Sequence, residues 1–229
     1  MMGSKKNSFF SIKYKLTRFL FFLASLPFIK KIGGIKNLFR EGPYIIAANH
    51  ASHIDWLFVF NRFTAIIKRH IHFFATTKYY SNPLFRTYVN WSQGIWTDPK
   101  IQARSLLTAL QYLKHGEILG IFPEGTRSPD GKIKKGKSGI ADLALLAKVP
   151  VVPVGLIGTH NVLPKGAAFP RFARCEANIG GPLEFKEYYK DYDEAVDSKD
   201  SDRIKKIEEE VTRKIMQKIA RLSNQEYPF

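Results

Sequence analysis

The chain opens on one lopsided apolar stretch and then settles into short buried runs alternating with helical periods. "FLFFLASLPFI" (residues 19–29) is apolar but for one serine and is cut by Pro27. Ile12, Leu16, Phe19, Leu20 and Leu23 recur at the spacing of one helical face, with Lys13, Lys15 and Arg18 off it. Crossing a bilayer takes about 20 apolar residues, so this helix is expected to lie along a surface. That surface is either a membrane interface or the protein's own core. A basic start before an apolar run also suits a signal peptide, but Lys30 and Lys31 close the run and no small-x-small cleavage site follows.

Beyond residue 40 the pattern changes. "YIIAA" (44–48), "IHFFAT" (71–76), "EILGIF" (117–122), "VPVVPVGLIG" (149–158) and "RCEANIG" (174–180) read as strands. The two prolines of the fourth are more natural at an edge, a bulge or a strand start. "HIDWLFVFNRF" and "SGIADLALLAKV" read as helices, as does the stretch carrying Leu106, Leu107, Leu110 and Leu113, which Gly116 stops. Asn82-Pro83 and Asp98-Pro99 are helix starts with proline at the first helical position. Ile204, Ile207, Val211, Ile215, Ile219 and Leu222 predict one long amphipathic helix at the end. Strands alternating with helices imply an α/β fold, a three-layer domain whose largely parallel sheet is flanked by helices. Residues 41–229 form that domain, and residues 1–40 an amphipathic helical segment for membrane binding.

Charge sharpens the picture. The net charge is +16, and residues 1–182 hold 26 basic against 8 acidic residues. Residues 1–40 have nine Lys or Arg and no acid. Such a basic body wants an anionic partner. No zinc-finger spacing or RRM-like aromatic signature is present, which argues against nucleic acid. The acid-free start favours an anionic membrane surface. The single cysteine, Cys175, excludes an intrachain disulfide framework and reads as a small core residue.

Three short stretches carry candidate chemistry. "GKIKKGKS" (131–138) matches the phosphate-loop pattern G-x-x-x-x-G-K-[ST], which would make Lys137 a phosphotransferase lysine. A working loop starts directly after a buried strand, whereas here the strand ends at Phe122 and the first glycine is Gly131. Lys134, Lys135 and Lys137 still precede a helix start, where an anion is favoured. "NHASHIDW" (49–56) holds His50, His53 and Asp55. Two histidines without a cysteine are too few for a zinc site, and Ser52 lacks the G-x-S-x-G elbow of a serine nucleophile. His70 and His72 read as one exposed strand edge. His50 at a helix start with Asp55 in the first turn is the base half of a hydrolase triad. The same residues also fit a plainer role, Asp55 complementing the helix dipole beside an inert histidine. "FPEGTRS" (122–128) follows a buried strand, at the end of the sheet where α/β folds bind ligands. There Gly125 permits close backbone approach, Arg127 can grip a phosphate, and Glu124 can accept a hydroxyl or orient the arginine.

Taken together, "NHASHID" with its H-x4-D spacing, "FPEGTRS" and the proline-bearing "VPVVPVG" resemble, in order and approximate spacing, the motifs of the glycerolipid acyltransferase family. The nearest type is the bacterial 1-acyl-glycerol-3-phosphate acyltransferase. The resemblance implies His50 as general base and Asp55 as its orienter. Glu124, Gly125, Thr126 and Arg127 would bind the glycerol phosphate. The acyl donor would be acyl-CoA or acyl-carrier protein, the acceptor a lysophospholipid, and no metal or redox cofactor is implied. The place implied is the cytoplasmic face of the membrane, peripheral or monotopic. The family's second motif ends in an arginine that "GIWTDPK" (94–100) lacks, leaving Lys100, Arg104 or Lys135 to share the phosphate.

Overall fold

The computed structural model describes residues 12–98, 100 and 102–229, without the side chains of Ile12–Lys15, Thr17 and Phe58. The side chains of Ile12 on the predicted stripe and of Lys13 and Lys15 off it, and Pro99 of the second helix start, lie outside the described atoms.

Among the described residues, seven strands form one sheet in the order β1-β7-β6-β2-β5-β3-β4. They are β1 (Ile29–Gly33), β2 (Tyr44–Ala48), β3 (Ile71–Thr76), β4 (Ile95–Thr97), β5 (Ile118–Ile121), β6 (Val151–Ile157) and β7 (Cys175–Ile179). Every pair is parallel except β6 with β7. β2 is the centre, and all five of its residues are buried. It reads as an unbroken apolar run because both of its faces are covered. Ile45 and Ala47 face one core, with α4 (Gln102–Lys114), α5 (Gly139–Ala147), α7 (Lys186–Asp197) and α8 (Ser201–Leu222) packed on it. Tyr44, Ile46 and Ala48 face the other, under α2 (Asn61–Ile67). α1 (Ile12–Ser25) and α3 (Pro83–Trp91) pack around that side.

Three expectations are corrected. Pro153 lies inside β6, a central strand between β2 and β7. The ladder tolerates it because Pro153 turns its carbonyl toward β7, where the Gly180 N–H donates to it at 2.8 Å. Its missing N–H falls on that same side, beyond the last β7 residue Ile179, so the pairing with β2 loses nothing. His72 is not on an exposed edge: β3 is paired on both sides and His72 is 1% exposed. It stacks on Tyr112 at 4.1 Å and bonds the Gln93 carbonyl through Nδ1 at 3.0 Å. Finally, Ile29–Gly33, within the segment read as helical, is a strand joined to β7 at the sheet's edge. Its two lysines hid it, and both are exposed because an edge strand is covered on fewer sides.

α1 divides its surface. One side packs inward: Phe21 meets Tyr88 edge-on at 5.5 Å, Arg62 lies 4.1 Å above the Phe22 ring, and Arg18 donates to Asn61. The other side leaves Leu16, Phe19, Leu20 and Leu23 between 42% and 56% exposed. No helix among the described residues is long and apolar enough to cross a membrane.

β2 and β5 are neighbours, yet the chain leaves them toward opposite faces, β2 into α2 and β5 into α5. Adjacent strands whose connections diverge open a crevice at their carboxyl ends. "NHASHID" and "FPEGTRS" both fall there.

Candidate active site

His50 stands two residues after β2. The turn that follows is tied to Asp55, whose Oδ2 accepts three N–H bonds at 2.8 Å each, from His50 Nδ1, Ala51 N and Ser52 N. Asp55 is fully buried and begins a π-helical turn (Asp55–Phe60) that runs into α2. The wider winding is a feature that π-turns bring to functional sites. With Nδ1–H donated to Asp55, the other ring nitrogen of His50 keeps its lone pair. The ring lies flat on Phe122, 3.9 Å between centroids, so its plane is fixed as well.

The loop after β5 grips the same histidine by its backbone. Glu124 Oε1 accepts the His50 N–H at 3.0 Å, and Ser128 N donates to the His50 carbonyl at 2.7 Å. Glu124 is 3% exposed, is not among the residues lining the cavity, and turns Oε1 to the His50 peptide. Burial pushes its carboxyl up to about 7, against the pull of the His50 and Lys134 N–H groups and the Lys134 cation. The unfolded chain gives up that proton near 4.5, the ordinary value. Between those values the folded state binds more protons than the unfolded one, so stability falls as pH rises from about 4.5 to about 7. Glu124→Gln should flatten this part of a plot of thermal midpoint against pH; an unaltered slope would show that Glu124 is already ionised there.

A cavity of about 890 Å³ opens beside His50. Gly125, Thr126 and Arg127 line it, together with Lys78, Lys137 and Lys165. Phe73, Leu106, Ile140 and Leu143 add apolar walls to the same cavity. Gly125 has a φ of +72°, and a Cβ there would meet the Lys137 side chain at 3.0 Å, so Lys137 lies across the bare turn. Thr126 Oγ1 accepts from Lys134. Lys135 and Lys100 are exposed and do not line the cavity, and Arg104 lines a separate groove with Trp96 and Tyr80. The structure thus brings His50, Asp55, Gly125, Thr126 and Arg127 together, with Lys137, Lys165 and Lys78 in place of Lys135 and Lys100.

Two further residues of the same motif, Ser52 and His53, support the site. Ser52 caps the turn, accepting from Ile54 N and donating to the Leu163 carbonyl at 2.6 Å. His53 lines the cavity and is held neutral: burial, then the Arg127 cation and His50, push its imidazole down to about 4. Its spacing from His50 was visible, but only the fold turns it toward Arg127.

The phosphate-loop reading of residues 131–138 fails on its backbone. Such a loop offers free N–H groups to phosphate. Here Lys132 N, Ile133 N, Gly136 N and Lys137 N are spent on Asp130, Gln225, the Tyr227 hydroxyl and the Pro123 carbonyl.

Comparison with known proteins gives a consistent answer. The Acyltransferase family matches residues 30–157, which contain both motifs of the site. A 1-acyl-sn-glycerol-3-phosphate acyltransferase of Bacillus subtilis is 28% identical over 68% of this chain and 77% of its own length. The chloroplastic enzyme BAT2 of Brassica napus is 29% identical over 62% of this chain. The similarity spans only 41% of that plant protein. The crystal structure of the 1-acyl-sn-glycerophosphate acyltransferase of Thermotoga maritima superposes with a TM-score of 0.65 at 25% identity, over 90% of this chain and 77% of that one. With a family match across more than half of its residues, the chain belongs to the acyltransferase family.

Proposed function

We propose that the protein is a membrane-surface O-acyltransferase. It moves a fatty acyl group from acyl-CoA or acyl-carrier protein to the free hydroxyl of 1-acyl-glycerol-3-phosphate, giving phosphatidic acid. The observation that carries the reading is the 2.8 Å His50–Asp55 pair beside a cavity lined by both cationic and apolar side chains.

The chemistry follows from that pair. The acceptor hydroxyl gives its proton to the free ring nitrogen of His50 as its oxygen attacks the thioester carbonyl. Asp55 stabilises the imidazolium that forms. Collapse of the tetrahedral intermediate breaks the C–S bond, and the thiolate leaves with the proton that His50 returns. The substrate supplies the nucleophile, so no covalent acyl-enzyme is formed. Arg127 is suited to a bidentate hold on the acceptor phosphate. Lys137 and Lys165 add point charges at the same rim.

The test is a panel of lysolipid acceptors assayed with both donors by thiol release. Release with lysophosphatidate well above a His50→Ala control is expected; a rate equal to that control for every acceptor would overturn the acyltransferase reading.

The exposed stripe of α1 supports the membrane part. Polar replacement of Leu16, Phe19, Leu20 and Leu23 should release the protein from anionic vesicles while leaving the inward contacts of Phe21 and Phe22 in place. Co-sedimentation equal to wild type would remove α1 as the anchor.

A further inference from the structure

The connection between α6 (Thr159–Val162) and β7 carries the sequence "LPKGAAFPRFAR" (residues 163–174). Phe169 in it is 81% exposed and Phe172 is 108% exposed, beyond what the residue shows in an open reference peptide. Single exposed apolar residues are ordinary on protein surfaces. Two phenylalanines three positions apart on one projecting loop are not.

The projection is built, not slack. Arg171 N donates to the Val162 carbonyl at 2.7 Å and closes its base, and Cys175 N donates to the Phe28 carbonyl at 2.7 Å. Leu163 and Ala173, at the two ends of the loop, pack with Phe28 and Leu57 around buried Ile54 and Val162. Ser52, in the turn that carries His50, donates to the Leu163 carbonyl. The loop is therefore fixed both to the catalytic turn and to the segment that leaves α1.

Charge selects the partner. No acidic residue occurs between Asp142 and Glu176. Lys165, Arg171 and Arg174 are exposed around the two rings. Aromatic side chains flanked by cations suit the boundary between anionic headgroups and acyl chains. The loop's base adjoins the segment that leaves α1: Leu26, 51% exposed, is two residues from Phe28, which packs there. Lys165 reaches the cavity rim.

We propose that residues 163–174 form a second membrane-contact element, inserting Phe169 and Phe172 into an anionic bilayer beside α1. With two contacts flanking it, the cavity rim is pressed to the lipid surface, and a lysolipid can pass from bilayer to His50 without crossing water. The proposal rests on the reading that the acceptor is a membrane lipid.

Phe172→Cys in the full chain, labelled with an environment-sensitive dye, tests it directly. The native Cys175 is buried and its thiol is pushed up to about 12, so the dye goes to position 172. Phosphatidylglycerol-containing vesicles should shift the emission to the blue. No shift under conditions where the protein co-sediments would overturn the proposal. So would a shift produced by an acidic carrier protein and not by vesicles.

The unlabelled double variant Phe169→Ala/Phe172→Ala supplies the functional arm. Its vesicle partition should weaken about tenfold, the scale of two partly buried rings. Transfer to vesicle-borne lysophosphatidate should fall in parallel, while transfer to a short-chain, monomeric lysophosphatidate stays at the wild-type rate. Wild-type partition by the double variant would overturn the loop's role. Failure of wild-type protein on both acceptors would instead sink the acyltransferase reading, and the vesicle measurements would stand apart from it.

Discussion

His50→Ala should lower acyl transfer by about 10²- to 10⁴-fold, the range that a positioned general base contributes. Little of this loss should appear as weaker binding, because Arg127 and the three rim lysines remain. Asp55→Asn should come close to the same loss by another route. An amide at position 55 would turn an NH₂ or a single oxygen toward His50 Nδ1, Ala51 N and Ser52 N, all of which now donate to one carboxylate oxygen. The imidazole then loses the partner that selects its tautomer. Since the two residues act as one unit, the double variant should be hardly worse than either single one. Single-turnover thiol release with saturating acyl-CoA and lysophosphatidate measures all three. If Lys137→Ala abolishes activity while His50→Ala leaves it intact, the dyad is not the catalytic centre.

Gly155→Ala should be the most damaging small substitution in the core. A Cβ at Gly155 would stand 2.2 Å from the Leu222 carbonyl carbon and 2.3 Å from Ser223 N, both backbone atoms at the end of α8. No rotamer relieves a clash with main chain. α8 must move off β6, taking with it Ile215, Met216 and Ile219, which fill the core beneath α5. The loss should exceed about 3 kcal/mol, in the tail of single-substitution effects that overpacking reaches. Denaturant unfolding checks it; a midpoint within error of wild type would mean that α8 yields more easily than the packing indicates.

How much of this was legible in the sequence depends on what each residue faces. β2 and β5 were plain because buried parallel strands are unbroken apolar runs. β1 was not, because an edge strand can keep Lys30 and Lys31 in solvent. β4 is three residues long, too short for a period to show. Asn82 as a cap and Pro83 as the first helical residue were readable from local chemistry alone, and Asn82 does accept the Phe85 N–H. The H-x4-D spacing was readable in the same way, since a strand-to-helix turn fixes its geometry. The rim cations were not: Lys135 and Lys137 are equivalent in a string, and only the backbone course over Gly125 turns one of them toward the cavity. Glu124 was legible as important, but its protein partner was not: the carboxylate holds the His50 peptide, 74 positions away.

That last contact has a consequence for how such an enzyme can diversify. Glu124 and Ser128 hold the peptide of His50 from its two ends, and Arg127 lies between them in the same loop. A loop exchanged to recognise a different headgroup would carry away both supports of the base. Under the proposed roles of His50 and Arg127, acceptor choice and base placement are one heritable unit, and a graft that retunes specificity must restore a carboxylate and a backbone donor at the two ends of the arginine's loop.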